Sequence, residues 1–162
     1  MFVVFRRLVS GRMRLASVLS AALILTAAVS INSSGQRQRT ADEPLFTEFK
    51  GVRIGTPADE ARKKLGSPRD KADDQDFYVF NDTQAVQVYY DKAKTVTAIS
   101  IDFMSGATDI PVPKDVIGGE PDTKADGSAY KMVRYPKLGY WVSYSRTAGA
   151  SPTITVTIQK ID

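Results

Sequence analysis

The chain has 162 residues, of which 43% are apolar and 25% charged, a composition typical of one globular domain or of two small units sharing a core. The formal net charge of +4 comes from Arg6, Arg7, Arg12 and Arg14. Removing these four from the 22 basic residues leaves 18 basic against 18 acidic residues in the rest of the chain. With no excess of basic residues beyond residue 30, there is little counterion release to drive binding to phosphates, and the sequence argues against a nucleic-acid partner.

Cysteine and histidine are both absent from the chain. Their absence excludes disulfides, a lipidated cysteine anchor and a thiol nucleophile. It also removes the commonest general base and the commonest metal ligand. The fold must therefore be stabilised by its core alone.

Residues 1–30 resemble an export signal. The 17-residue run LASVLSAALILTAAVSI follows the arginines, and Ala28 and Ser30 are small residues suited to cleavage after Ser30. The alternative is an uncleaved N-terminal anchor, although the run is short for a membrane span and contains serines. Both interpretations predict export to the periplasm or the exterior, with membrane contact only through this segment if it is retained.

The segment 31–43, INSSGQRQRTADE, is polar and aperiodic and predicts a flexible linker. A short helix is then predicted in IGTPADEARKKLGSP, with Thr56 as N-cap, Pro57 in the first turn and Gly66 as C-cap. The apolar side of this helix repeats at spacings of three and four, through Ala58, Ala61 and Leu65.

Three runs with strand character follow the helix: Phe77 to Asn81, Ala85 to Asp91 and Thr95 to Phe103. The last two runs alternate between apolar and polar residues, which predicts half-buried strands. The short turns NDTQ and DKAK between the runs predict an antiparallel meander.

The same order recurs in the second half of the chain. DIPVPKDVIGGEP occupies the helix position, and three more predicted strands follow: Tyr130 to Arg134, Leu138 to Arg146 and Thr153 to Ile161. The segments PRDKAD and PDTKAD lie 53 residues apart, and Tyr90 and Tyr144 lie 54 apart. The sequence predicts an α+β fold of two tandem helix–three-stranded units, 44–108 and 109–162, sharing one six-stranded antiparallel sheet with short helices on one face.

The segment IGTPADEARKKLGSPRDKADDQDFYVFNDTQAVQVYYDKAKTVTAISIDF resembles the SmpA/OmlA family of outer-membrane assembly lipoproteins and the wider beta-lactamase-inhibitor-protein-like fold. The resemblance lies in Gly55-Thr56-Pro57 opening a helix, Leu65-Gly66-Ser67-Pro68 ending it, and an aromatic-led strand from Phe77 to Phe80. It implies this fold over about residues 50 to 160, in tandem as in the inhibitor proteins. It also implies a protein partner in the cell envelope or outside the cell.

Catalytic candidates are weak. Ser128 and Lys131 have the Ser-x-x-Lys spacing of penicillin-interacting enzymes, but they fall at a turn and a strand start instead of on a helix. Two carboxylate pairs are conceivable, Asp102 with Asp109 and Asp115 with Glu120, and nothing in the sequence fixes their geometry. We therefore predict a non-catalytic protein, with a hydrolase using Ser and Lys or carboxylates as an alternative.

The loop from Asp70 to Asp76 contains four acids, which is an oxygen-rich composition that suits calcium. It lacks the EF-hand spacing, and a solvated acidic loop is the simpler interpretation. We predict no metal site and no cofactor.

The predicted binding surface is the sheet face that points away from the helices. The alternation of the strands directs Trp141 and Ser143 outward, together with a further set of polar and aromatic residues, Gln87, Tyr89, Thr155 and Thr157. Aromatic side chains among small polar groups are typical of interface centres, although an ordinary solvated sheet face has a similar composition.

The leading functional prediction is an exported protein-binding module whose partner is another envelope or extracellular protein. A carrier of a small apolar ligand between sheet and helices is a further alternative. Large residues predicted to point inward, among them Tyr90, Phe103, Tyr144 and Ile158, argue for a filled interior.

Overall fold

The structure is a computed structural model that describes residues 43–161. These residues form one antiparallel sheet of eight strands with two short helices, which confirms the α+β class. The predicted export signal and all but the last residue of the predicted linker lie outside the described residues. No helix between residues 43 and 161 has the length and apolar character needed to cross a membrane.

The elements follow one another along the chain as two helices and eight strands. The helices are α1 (Ala58–Leu65) and α2 (Pro113–Ile117). The strands are β1 (Asp70–Lys71), β2 (Gln75–Asn81), β3 (Gln84–Tyr90), β4 (Val96–Phe103), β5 (Asp122–Thr123), β6 (Ala129–Tyr135), β7 (Tyr140–Arg146) and β8 (Ile154–Lys160). Their order in the sheet is β1-β2-β3-β4-β8-β7-β6-β5, so the two halves of the chain meet where β4 pairs with β8.

Helix α1 begins one residue later than the capping pattern predicted. Pro57 occupies the N-cap position with no side-chain capping bond, and the Thr56 hydroxyl oxygen instead accepts from the backbone N–H of Arg53 at 3.1 Å. The prediction of Thr56 as N-cap was therefore wrong, because that oxygen stabilises the turn before the helix. The helix ends as predicted at Gly66, whose φ of 90° favours glycine.

The sheet has two chemically different faces. On the inner face, the Cα pairing aligns apolar residues across four strands in rows, one of which contains Val88, Ile99, Ile158 and Val142. All four of these residues are completely buried. Residues of both helices belong to the same core cluster, including Ala61 and Val116, so the helices cover this face as predicted.

Two expectations about the strands need correction. The sheet has eight strands instead of six, because two-residue strands, β1 and β5, add to its edges. Strand β7 begins at Tyr140 instead of Leu138, because Pro136–Leu138 form a 3₁₀ turn and leave Leu138 exposed.

The longer β6–β7 connection also changes the row of the sheet to which Tyr144 belongs. It pairs with Val156, which pairs with Ile101 and then Val86. Tyr144 therefore lies in the row of Val86 and not in the row of Tyr90.

Replacing Ile101 with Ala tests the central position of the β4–β8 pair in the core. Ile101 is fully buried, so the lost contacts and the remaining cavity should lower the free energy of unfolding by about 2–5 kcal/mol. Leu138→Ala is the matched control at a 54% exposed position and should change stability by about 0.5 kcal/mol or less. Urea denaturation measures both values, and similar small losses for the two variants would contradict the assigned core.

Candidate functional site: the outer face of the sheet

The outer face is the sheet surface opposite the helices, and it carries all six predicted binding residues. Gln87, Ser143 and Thr157 belong to one row, which runs Gln87–Ser100–Thr157–Ser143 across β3, β4, β8 and β7. Thr155 lies in the row beside it, between Asp102 and Ser145. Ser143 differs from its predicted exposure, because only 5% of it is accessible although it lies on this face.

Tyr89 and Trp141 belong to a third row, Tyr89–Ala98–Gln159–Trp141, and both are half-buried. Three strand spacings separate them, or about 14 Å. Both line a cleft of about 660 Å³ whose lining also includes Ala98, Ser100 and Thr157. We call this space the aromatic cleft. Tyr89 and Trp141 come from different halves of the chain, so the aromatic cleft depends on the pairing of β4 with β8.

The polar side chains of the outer face are hydrogen-bonded to one another. The Tyr89 hydroxyl donates to Gln87 Oε1, and the hydroxyl oxygens of Ser100 and Thr157 lie 3.3 Å apart. The Thr155 hydroxyl donates to Asp102 Oδ1 over 2.7 Å, linking β8 to β4. These bonds hold the side chains in place before any partner binds, which lowers the entropic cost of association.

Sequence analysis missed an apolar component of the outer face. Val79, Tyr130 and Met132 are 44%, 46% and 38% exposed. They lie on β2 and β6, in the same rows as the polar residues of the central strands. Alternation along β6 could have identified Tyr130 and Met132 as residues of the outer face, because their neighbours Lys131 and Val133 belong to the opposite face of the strand.

A second feature missed from the sequence is a buried carboxylate between α1 and the sheet. The sequence predicts that Asp76 belongs to a solvated acidic loop, and this prediction is wrong, because the Asp76 side chain is completely buried. The cause is the start of β2 at Gln75, which places Asp76 in the inner row with Val88 and Ile99.

Four side chains form this buried cluster. Asp76 Oδ2 accepts from Arg62 Nε and from the Tyr90 hydroxyl, each at 2.7 Å, and Oδ1 accepts from Arg62 Nη2 at 3.1 Å. The Tyr78 hydroxyl also donates to Oδ2, at 3.3 Å. Arg62 thereby ties α1 to β2 through a bidentate ion pair, a strong form of carboxylate recognition.

The pKa values of the cluster follow from this geometry. Burial alone would raise the pKa of Asp76, but the hydrogen bonds from Arg62 and Tyr90 outweigh it and hold the pKa below its ordinary value. Burial and the neighbouring Asp76 charge raise the pKa of Tyr78 to about 12, and burial with the Asp76 hydrogen bond raises the pKa of Tyr90 further. At neutral pH the cluster is therefore one carboxylate, one guanidinium and two neutral phenols.

The catalytic candidates from the sequence are placed in other interactions. The Ser128 hydroxyl donates to Asp126 Oδ1 at 2.7 Å, whereas Lys131 Nζ donates to the Glu120 carbonyl at 3.3 Å. Asp102 accepts from Thr155. The Ser128 hydroxyl and the Lys131 amine thus have different partners and do not form a hydrogen-bonded pair with each other.

The acidic loop also has no arrangement suited to calcium. Within residues 43–161 no group of three or more acidic side chains comes together as a possible cation site. Asp73 is paired with Lys94 at 2.9 Å, and Asp76 is held by Arg62.

Comparison of the chain with protein-family models, with curated proteins and with solved structures gave no match. The resemblance to SmpA/OmlA and to the beta-lactamase-inhibitor-protein-like fold stays a prediction.

Asp76→Asn tests the buried cluster. The change leaves Arg62 opposite a neutral amide and should lower the free energy of unfolding at pH 7 by about 3 kcal/mol. The pKa of Asp76 is lower in the folded state than its ordinary value of about 3.9, so its contribution is complete above about pH 5. That contribution begins to fall near the ordinary pKa and is lost only as the pH falls through the lower folded-state pKa, so the stability gap between wild type and variant should narrow below about pH 4.

Asp73→Asn is the control, because Asp73 is an exposed acid of the same loop, and it should change stability little. Urea denaturation from pH 3 to pH 7 measures all three proteins. An Asp76→Asn deficit that did not narrow in acid would contradict the assigned role of the carboxylate.

Proposed function

We propose that this chain is an exported, non-catalytic module that binds another protein of the cell envelope or extracellular space through the outer face of its sheet. One observation carries the proposal: Tyr89 and Trp141 flank a cleft on a face whose central strands carry hydrogen-bonded polar side chains. Tyrosine and tryptophan are enriched among the residues that dominate binding energy at protein interfaces.

The composition of the face favours a protein over other partners. Exposed Val79, Tyr130 and Met132 flank the polar centre and add apolar area, which suits a partner surface that is itself partly apolar. A nucleic acid lacks support, because residues 31–162 carry equal numbers of basic and acidic side chains. The export prediction, which rests on residues 1–30, places the partner outside the cytoplasm.

We also infer that the fold arose as two tandem units. Each half runs helix, two-residue strand and three longer strands in the same order, and the halves meet through their last strands. The two halves also place the PRDKAD and PDTKAD segments at corresponding points before β2 and β6. This arrangement supports the resemblance to the tandem inhibitor-protein fold. That resemblance also implies a protein partner.

The test is capture from envelope extracts by the full-length chain with a C-terminal tag, compared with a Tyr89→Ala/Trp141→Ala variant. Wild type should recover a protein that the variant does not retain. The matched control is a Val112→Ala/Leu138→Ala variant, because both residues are exposed and lie outside the strands. This control should recover the same protein as wild type. Equal recovery by wild type and the aromatic variant would contradict the proposed face.

Trp141 provides a direct second measurement, because it is the one tryptophan in the chain. Titration of the purified chain with the captured protein should shift the fluorescence emission of Trp141, and this shift should reach a plateau at saturating partner. An unchanged emission spectrum at saturating partner would place the contact elsewhere.

The aromatic variants must also remain folded for the capture result to have meaning. Trp141 and Tyr89 are half-buried and lie outside the core cluster, so each truncation should lower the free energy of unfolding by only about 1 kcal/mol. Urea denaturation measures this, and a loss of the size expected for Ile101→Ala would mean that Trp141 is a core residue.

A further inference from the structure

A second cavity, of about 320 Å³, lies on the helix side of the second half of the chain. Pro121, Ala129 and Ile154 give it apolar walls, and Glu120, Tyr144 and Arg146 give it polar groups. Its volume is at the lower end of the range of about 300–1,000 Å³ that is usual for small-molecule sites. None of these residues belongs to the predicted binding surface.

Tyr144 is the polar residue most constrained in this cavity. Only 5% of it is accessible, and its hydroxyl makes no hydrogen bond with any part of the chain from residue 43 to residue 161. Buried tyrosine hydroxyls ordinarily find a partner, as those of Tyr78 and Tyr90 do on Asp76. Every side-chain oxygen or nitrogen that is fully enclosed among the described residues has a hydrogen-bond partner. Since the Tyr144 hydroxyl has none, its oxygen is not fully enclosed.

Two opposite charges act on this hydroxyl. Burial raises the pKa of Tyr144, the Arg146 charge lowers it and the Glu120 charge raises it, and both of these exposed charged residues line the same cavity as the hydroxyl. Arg146 Nη2 donates to the Gly127 carbonyl at 2.8 Å, which orients the guanidinium. Lys131 Nζ donates to the Glu120 carbonyl at 3.3 Å and adds a second positive charge nearby.

Arg146 and Glu120 do not pair with each other, since the ion pairs of the described residues involve neither of them. The cluster around Asp76 shows the opposite arrangement, because there the arginine and the carboxylate are in direct contact at 2.7 Å. Among residues 43–161, the arginine–carboxylate–tyrosine cluster around Asp76 is thus closed, whereas the cluster around Tyr144 is open. In the open cluster, the separated charges and the free hydroxyl surround an apolar-walled space.

We infer that this cavity binds an α-amino acid with a small aliphatic side chain. Its carboxylate accepts hydrogen bonds from Arg146 and the Tyr144 hydroxyl, and its ammonium donates to the Glu120 carboxylate. The aliphatic group packs against Ala129 and Ile154. A zwitterion matches both charges of the cavity at once, which neither a simple carboxylate nor a simple amine can do.

Isothermal titration calorimetry on the full chain tests this with three probes of similar shape: L-leucine, 4-methylpentanoate and 3-methylbutylamine. Leucine should bind, and each analogue, which lacks one charged group, should bind at least about tenfold more weakly. Amide chemical-shift changes on adding leucine should be centred on Ala129, Tyr144 and Ile154.

Variants assign the contacts. Arg146→Gln, Glu120→Gln and Tyr144→Phe should each weaken leucine binding, by about tenfold for the two charged positions. Arg134→Gln and Glu48→Gln remove exposed charges outside the cavity and should bind leucine as wild type does.

The absence of both heat and shift changes with leucine would overturn the inference. Binding of 4-methylpentanoate as tight as that of leucine would also overturn it, because Glu120 would then have no role. Since no cavity residue belongs to the aromatic cleft, partner capture should be unchanged in the cavity variants. The two proposals therefore fail independently.

Discussion

The pairing of β4 with β8 is the interaction on which the rest of the structure depends. It joins the two halves of the chain by aligning Ile99 with Ile158 and Ile101 with Val156, all fully buried. Each half taken alone has few residues with which to bury the apolar side of its strands. Because the chain has no disulfide to compensate, the shared core is what makes either half stable.

The same pairing also assembles the candidate site. Tyr89 belongs to the first half and Trp141 to the second, and Ala98 and Gln159 are the paired residues between them. A slip of one residue between β4 and β8 would turn every outward side chain of one half toward the helices. The aromatic cleft is therefore a consequence of register, and the hydrogen bonds between Ser100 and Thr157 and between Thr155 and Asp102 lie at that junction.

Alternation and turn chemistry were sufficient to predict most of the sheet. Val86, Val88 and Tyr90 are buried, and Gln87 and Tyr89 lie on the opposite face, as the period of two required. The same alternation placed all six candidate site residues on one face. The short edge strands were missed because two residues carry no periodic signal, and Leu138 was misplaced because Pro136 opens a 3₁₀ turn.

The features that sequence reasoning missed depend on contacts between distant segments. Asp76 reads as a surface acid, because nothing near it in the sequence shows that Arg62, 14 residues earlier, turns its guanidinium toward β2. The open cluster of Glu120, Tyr144 and Arg146 is equally hidden, since one helix–strand connection and one central strand supply its members. Such clusters are set by packing geometry, which periodicity does not report.

The central claim, that β4 and β8 join the halves in this register, has a direct test because the chain contains no cysteine. Ser100 and Thr157 are Cα partners with side-chain oxygens 3.3 Å apart, so a Ser100→Cys/Thr157→Cys protein should form an intramolecular disulfide under mild oxidation. Ser143 lies one strand further along the same row, about 10 Å from Ser100, and a Ser100→Cys/Ser143→Cys protein should stay reduced. A disulfide in the second protein, or none in the first, would contradict the account.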